Sequence, residues 1–228
     1  MKPLSAPMLL NVWERARGQD ATRRALSLLA AACPEVPFAE LAQLPIGERD
    51  ARLLTLREWI FGPRLSGLAA CPDCGERVEL DFAVEQIRTD RMLEREFSLS
   101  ASGYEFHARV LNSEDLAAAS SRRELLERCV VSTKPDSMPE HLLAALEARL
   151  AEADPQANVQ LALQCPSCKR SWLALFDIVA FFWREIEVWA RRVLREVHAL
   201  ASAYGWSEAE ILALSPTRRQ IYLEMACP

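Results

Sequence analysis

Two Cys-Pro-x-Cys turns, Cys71-Pro-Asp-Cys74-Gly and Cys165-Pro-Ser-Cys168, constrain this 228-residue chain more than any other feature. A CxxC turn aims two sulfurs at one point, and a second turn supplies the other two of a tetrahedral set. Zinc accepts four thiolates without redox chemistry and without a geometric preference of its own. The expected site is one structural zinc ion held by Cys71, Cys74, Cys165 and Cys168. Tetracysteine sites usually separate their pairs by ~15–20 residues. Here residues 75–164, 90 in all, lie between them, so a shared ion would staple distant stretches of chain around an inserted segment.

Other uses of cysteine are weighed against this one. A disulfide framework needs an oxidising compartment. Met1 to Asn11 has one lysine, two prolines and no apolar core long enough for a secretion signal, which reads as a cytoplasmic protein. A thioredoxin-like redox pair is normally a single CxxC in a βαβ context, and neither turn precedes a clear crossover helix. Catalytic zinc keeps an open position and commonly uses histidine. Only His107, His141 and His198 exist, and none has ligand spacing. Cys33 and Cys129 read as small buried residues in helices, and Cys227 also lies outside the turns.

With half its residues hydrophobic and 26% charged, the chain can bury a real core, as one domain or two small ones. The net charge of −5 gives no general attraction to nucleic acid or to an anionic membrane. The longest apolar run, Trp172 to Trp183, spans 12 residues and contains Asp177. That is short of the ~20 needed to cross a bilayer, and a soluble protein is expected.

The periodicities predict an α+β fold, mainly helical, in five stretches. Residues 1–63 are an N-terminal helical region: two helices within Ala6 to Cys33 separated at Gly18, a short turn from Phe38 to Leu44, and a helix from Asp50 to Phe61 stopped by Gly62-Pro63. Residues 64–84 are the first half of a ribbon, with Val78, Leu80 and Phe82 alternating with Glu79 and Asp81 as a strand should. Residues 157–176 are the second half, with Val159, Leu161 and Leu163 before the turn and Trp172 to Phe176 after it. The inserted segment, 85–156, has a hairpin on either side of Ala101-Ser102-Gly103. A helix capped by Asn112 or Ser113 follows, then helices at Ser121 to Val131 and Pro139 to Ala153 joined by a proline-containing turn.

Residues 177–228 are a long helix and a helical hairpin. The long helix, Asp177 to Tyr204, carries an apolar stripe through Phe182, Ile186, Trp189, Val193 and Leu200. Its start, Ile178 to Trp183, is apolar all round and must be covered either by the rest of the fold or by another protein. Tyr204-Gly205-Trp206-Ser207-Glu208-Ala209-Glu210 combines a glycine stop, an aromatic staple and a capping box, and Ser215-Pro216 starts a last helix. Arg218 and Arg219 at its start invite a nucleic-acid reading, but on an acidic chain such a pair is more often a solvated face or a set of ion-pair partners.

The segments LPIGERDARLLTLRE, FGPRL and CPDCGERVEL, with the closing YGWSEAEILALSPTRRQIYLE, resemble small baseplate hub and tail assembly proteins encoded in contractile phage tail and phage-derived injection system gene clusters. The resemblance covers residues 44–82, the second CxxC turn and residues 204–224. It implies protein binding without chemistry, phage tail or baseplate partners, Cys71, Cys74, Cys165 and Cys168 as zinc ligands, and an interaction element including Trp206, Ile211, Leu212, Arg218, Arg219 and Tyr222. The zinc pairing is less general among hub chaperones of contractile-tailed phages.

No glycine-rich phosphate loop, GxSxG, HExxH or Cys-His pairing nominates a catalytic centre. The expectation is a non-enzymatic assembly or structural protein. A zinc-ribbon nucleic-acid binder or transcription-related factor is the alternative, and a thiol redox enzyme is a third.

Overall fold

The computed structural model describes residues 1–101, 104–132 and 138–226. The loop residues Ser102 and Gly103, the proline-containing turn within 133–137, and Cys227 lie outside the described residues.

Alanine- and leucine-rich sequence on either side of Gly18 forms α1 (Ala6–Ala16) and α2 (Ala21–Ala32). Asp20 caps α2 by accepting a hydrogen bond from Arg23 N at 2.9 Å. A short helix, α3 (Phe38–Ala42), leads to α4 (Ile46–Phe61). This helix begins a turn before the expected Asp50. Its first-turn donors are satisfied by remote groups: Ile46 N–H donates to Leu111 O at 3.0 Å and Gly47 N–H to Asp154 Oδ2 at 2.8 Å.

After Gly62 the chain forms β1 (Arg64–Ala70) and β2 (Arg77–Ala83), antiparallel with Leu65 opposite Phe82 and Ala70 opposite Arg77. β1 goes unrecognised in the sequence because Gly67, Ala69 and Ala70 blur its alternation. The insert follows. Strands β3 (Glu96–Ala101) and β4 (Tyr104–Arg109) pair with Phe97 opposite Ala108 and Leu99 opposite Phe106. Helices α5 (Ser113–Ala118), α6 (Arg122–Cys129) and α7 (Glu140–Ala153) complete it. Asn112 caps α5 in a reciprocal box with Asp115, whose carboxylate also holds Arg109 through both oxygens at 2.6 and 2.8 Å. α6 stops short of the expected Val131 because Val130 bridges to Ala108 and Val131 N–H donates to His107 O, continuing the sheet edge. The second ribbon hairpin is β5 (Gln160–Gln164) with β6 (Ser171–Leu175).

The long helix α8 (Ile178–Tyr204) starts at the Asp177 cap and ends at Gly205, which takes the left-handed conformation (φ 70°) that glycine adopts without strain. Ser207 and Glu210 form the capping box of α9 (Glu208–Ala213), and α10 (Pro216–Ala226) closes the described chain. At ~1.5 Å per residue α8 runs ~40 Å. Among the described residues no helix is long and apolar enough to cross a membrane.

The architecture is α+β with two separate apolar cores. One joins α1, α2 and α4 to α8 through Leu9, Leu28, Leu53, Leu56, Phe182 and Ile186. The other fills the insert, from Phe97 and Phe106 to Leu126, Leu142 and Leu146. Polar ties supplement the apolar packing. Arg57 on α4 donates to both carboxylate oxygens of Glu185 on α8, at 2.8 and 2.6 Å, and to Gly62 O. Asp154 joins the insert to α4 at Gly47, where a side chain would have no room: an added Cβ would lie 1.8 Å from Asp154 Oδ1.

Candidate metal centre

Each CxxC turn is built by the same two backbone hydrogen bonds. In the first, Gly75 N–H donates to Cys71 O and Cys71 N–H to Glu76 O, at 2.9 and 2.8 Å. In the second, Lys169 N–H donates to Cys165 O and Cys165 N–H to Arg170 O, at 3.1 and 2.8 Å. The residue after the second cysteine must turn left-handed in both. Gly75 does so at φ 74° and Lys169 at φ 62°, the one described non-glycine residue with positive φ.

The four sulfurs converge from turns that the sequence sets far apart. Cys71 Sγ is 3.6 Å from Cys168 Sγ, and Cys74 Sγ is 3.6 Å from Cys165 Sγ. All four lie within 4.8 Å of one another, the group of metal-binding type found among the described residues. Disulfide sulfurs would be ~2.05 Å apart. A tetrahedron with Zn–S bonds of ~2.3 Å has edges of ~3.8 Å, so the donor set fits such an ion. Cys71 and Cys165 are buried, whereas Cys74 and Cys168 reach the surface. Contacts between the turns hold the halves in register: Ser167 Oγ donates to Glu76 Oε2 at 3.2 Å, and Arg170 pairs with Asp73 at 3.7 Å.

Crowding sets the thiol chemistry. Cys165 is drawn down to about 7, chiefly because the backbone N–H of Cys168 points at its sulfur, with Ser167 N–H adding to the effect. The Glu76 N–H stabilises the Cys74 thiolate, but the sulfurs of Cys165, Cys168 and Cys71 around it push it up to about 12. One sulfur gives up its proton readily while a neighbour holds on. A metal cation substituting for the shared protons would let all four act as thiolates.

The other residues implied by the resemblance do not form one surface. Ile211, Leu212 and Arg219 are buried. Arg219, 4% exposed, donates to Glu196 on α8 at 3.1 Å and to Leu214 O at 2.8 Å, tying the last helix to the long one. Trp206 stacks on Tyr204 at 4.7 Å and meets Tyr222 edge-on at 4.9 Å, closing the hairpin with an aromatic cluster. Arg218 is exposed.

A second feature escaped sequence reasoning. A groove of about 630 Å³ lies between the ribbon and α8, lined chiefly by β1, β6 and the outer face of the helix, with Arg57 and Phe61 of α4, Leu80 of β2 and Leu161 of β5. Its signal in the sequence is the all-apolar start of α8. Ile178, Val179, Phe182 and Trp183 enter the core, while Ala180 is exposed and Phe181 half-buried at the groove. No family model, curated protein or solved structure matches this chain.

Proposed function

We propose that the four thiolates hold one structural zinc ion and that the chain acts by binding other proteins, as a structural or assembly-chaperone component of the baseplate region of a contractile phage tail-like particle. The observation that carries the first part is the convergence of Cys71, Cys74, Cys165 and Cys168 within 4.8 Å. Four sulfur donors complete a tetrahedral zinc and leave no position for a reactive water, which is the signature of a structural site. Bound zinc would supply a cross-link between two short hairpins, β1–β2 and β5–β6, which are too small to stand alone. The second part rests on the likeness of residues 44–82 and 204–224 to tail assembly proteins.

The test is affinity purification of the zinc-loaded chain from its native host, with mass spectrometry of what accompanies it. Tube, sheath or baseplate subunits should co-purify, and their genes should neighbour this one. A preparation dominated by nucleic acid, or genes without any tail component nearby, would overturn the tail assignment.

A further inference from the structure

The groove between ribbon and helix has the makings of a protein-binding site. Three large apolar side chains from three elements project into it while remaining mostly in water: Leu68 of β1 is 58% exposed, Leu175 of β6 67% and Val188 of α8 66%. Phe181 and Ala180 extend the apolar surface, and Gly67 faces it without a side chain, an added Cβ there meeting the Phe181 ring at 3.3 Å. The metal site fixes this geometry, because β1 runs into Cys71 and β6 leaves Cys168, so the two walls are held by the same four sulfurs.

Charge selects the occupant. The groove's carboxylates are already engaged: Glu185 binds Arg57 and Asp177 caps α8. Its remaining guanidiniums, Arg184 and Arg192, are exposed one turn on either side of Val188, on the same face of the helix. Arg192 is 3.4 Å from Glu196, and Arg184 has no ion pair among the described residues. The groove's lining, with Arg57, Arg184 and Arg192 against Asp177 and Glu185, is net positive on a chain whose net charge is −5.

We propose that this groove binds an acidic amphipathic helix of another protein, its apolar side chains on Leu68, Leu175 and Val188 and its flanking carboxylates on Arg184 and Arg192. The inference rests on the reading of the chain as a protein-binding scaffold. The groove follows α8 from Asp177 to Arg192, ~22 Å at ~1.5 Å per residue, the length of about four helical turns. A second copy of this chain fits less well. A two-fold interface sets a patch against itself, which would bring the arginines of one copy to those of the other. Nucleic acid fits less well too, since a phosphate backbone offers nothing to three exposed aliphatic side chains.

The probe is a displayed library of random peptides about 20 residues long, selected against the full-length zinc-loaded chain and then measured as labelled peptides by fluorescence anisotropy. The expected winners carry leucine, isoleucine or aromatic residues at helical spacing with aspartate or glutamate beside them, and bind more weakly as salt rises. Val188→Asp should weaken them on the order of tenfold or more, and the double variant R184E/R192E should do the same while gaining affinity for the same peptides remade with lysine for glutamate. Both changes are on the exposed helix face, and an unaltered melt and zinc content shows that the fold is intact. Winners without acidic bias, winners indifferent to both variants, a dimer that Val188→Asp dissociates, or duplex DNA displacing the peptides would each overturn the proposal. If tail subunits still co-purify with Val188→Asp, the groove assignment falls and the tail reading stands. Groove-dependent peptides without any tail partner would give the reverse.

Discussion

A methyl group on Gly47 would stand 1.8 Å from Asp154 Oδ1, whereas one on Gly75 would meet nothing within 4 Å. Gly47→Ala must therefore break the Gly47–Asp154 hydrogen bond or move the turn that carries it, and should cost roughly 2–4 kcal/mol. Gly75→Ala meets only the left-handed backbone, at about 1 kcal/mol, since Lys169 occupies the matching position of the other turn with a full side chain. Urea denaturation of the two variants in the presence of zinc measures the difference. Asp50 offers a test by pH. Burial pushes its carboxyl up to about 6, against the pull of the adjacent Arg49 guanidinium at 2.8 Å. A raised carboxyl pKa means that the ionised form is disfavoured in the fold. The penalty is thus complete above pH 6 and relieved as pH falls from there towards the ordinary carboxylate value of 3.8. Asp50→Asn should gain stability over the parent of on the order of 1–3 kcal/mol at about pH 7.5, shrinking at about pH 5. Subtracting the two proteins' melts at each pH cancels any loss of metal common to both, and a difference that grows on acidification would contradict this account.

Between elements, the Arg57–Glu185 pair separates from the surface pairs by burial. The Arg57 side chain is 3% exposed and spans α4 to α8, so Arg57→Ala should leave Glu185 facing an apolar neighbourhood without a partner and lower stability by roughly 2–3 kcal/mol. Arg64→Ala, which removes an exposed pair with Asp81, should leave the same denaturation curve nearly unchanged. The helices were legible because their signals are local: Asn112 and Ser207 are caps readable in place, and Gly205 is a stop. What was not legible depends on distant chain. The true start of α4 is fixed by Leu111 O and Asp154, and the early end of α6 by Ala108 and His107. β1 has weak alternation and is defined by its partner β2. Arg219 read as either a solvated charge or an ion-pair partner, and only the fold decides between them by placing Glu196 and Leu214 O beside it.

At the scale of the molecule, the four cysteines could be named from the sequence because each CxxC turn is a complete local unit. Their cross-chain supports, Ser167 to Glu76 and Arg170 to Asp73, could not, and neither could a groove whose walls come from both ribbon hairpins, α4 and α8. The two apolar cores are built without the sulfurs, so removing the metal should not dissolve the helices. Hydrogen exchange after chelation should show rapid loss of protection in β1–β2 and β5–β6 while α2, α4 and α8 stay protected. Simultaneous exposure of all of these would show that the ion holds the entire fold and not the ribbon alone. The central claim is tested most directly by the zinc content of purified parent, Cys71→Ser and Cys165→Ser chains, one ligand removed from each turn. The account predicts one equivalent per parent chain and loss of stoichiometric zinc from either variant; a parent with two equivalents or none, or a variant that keeps its full equivalent, would contradict it.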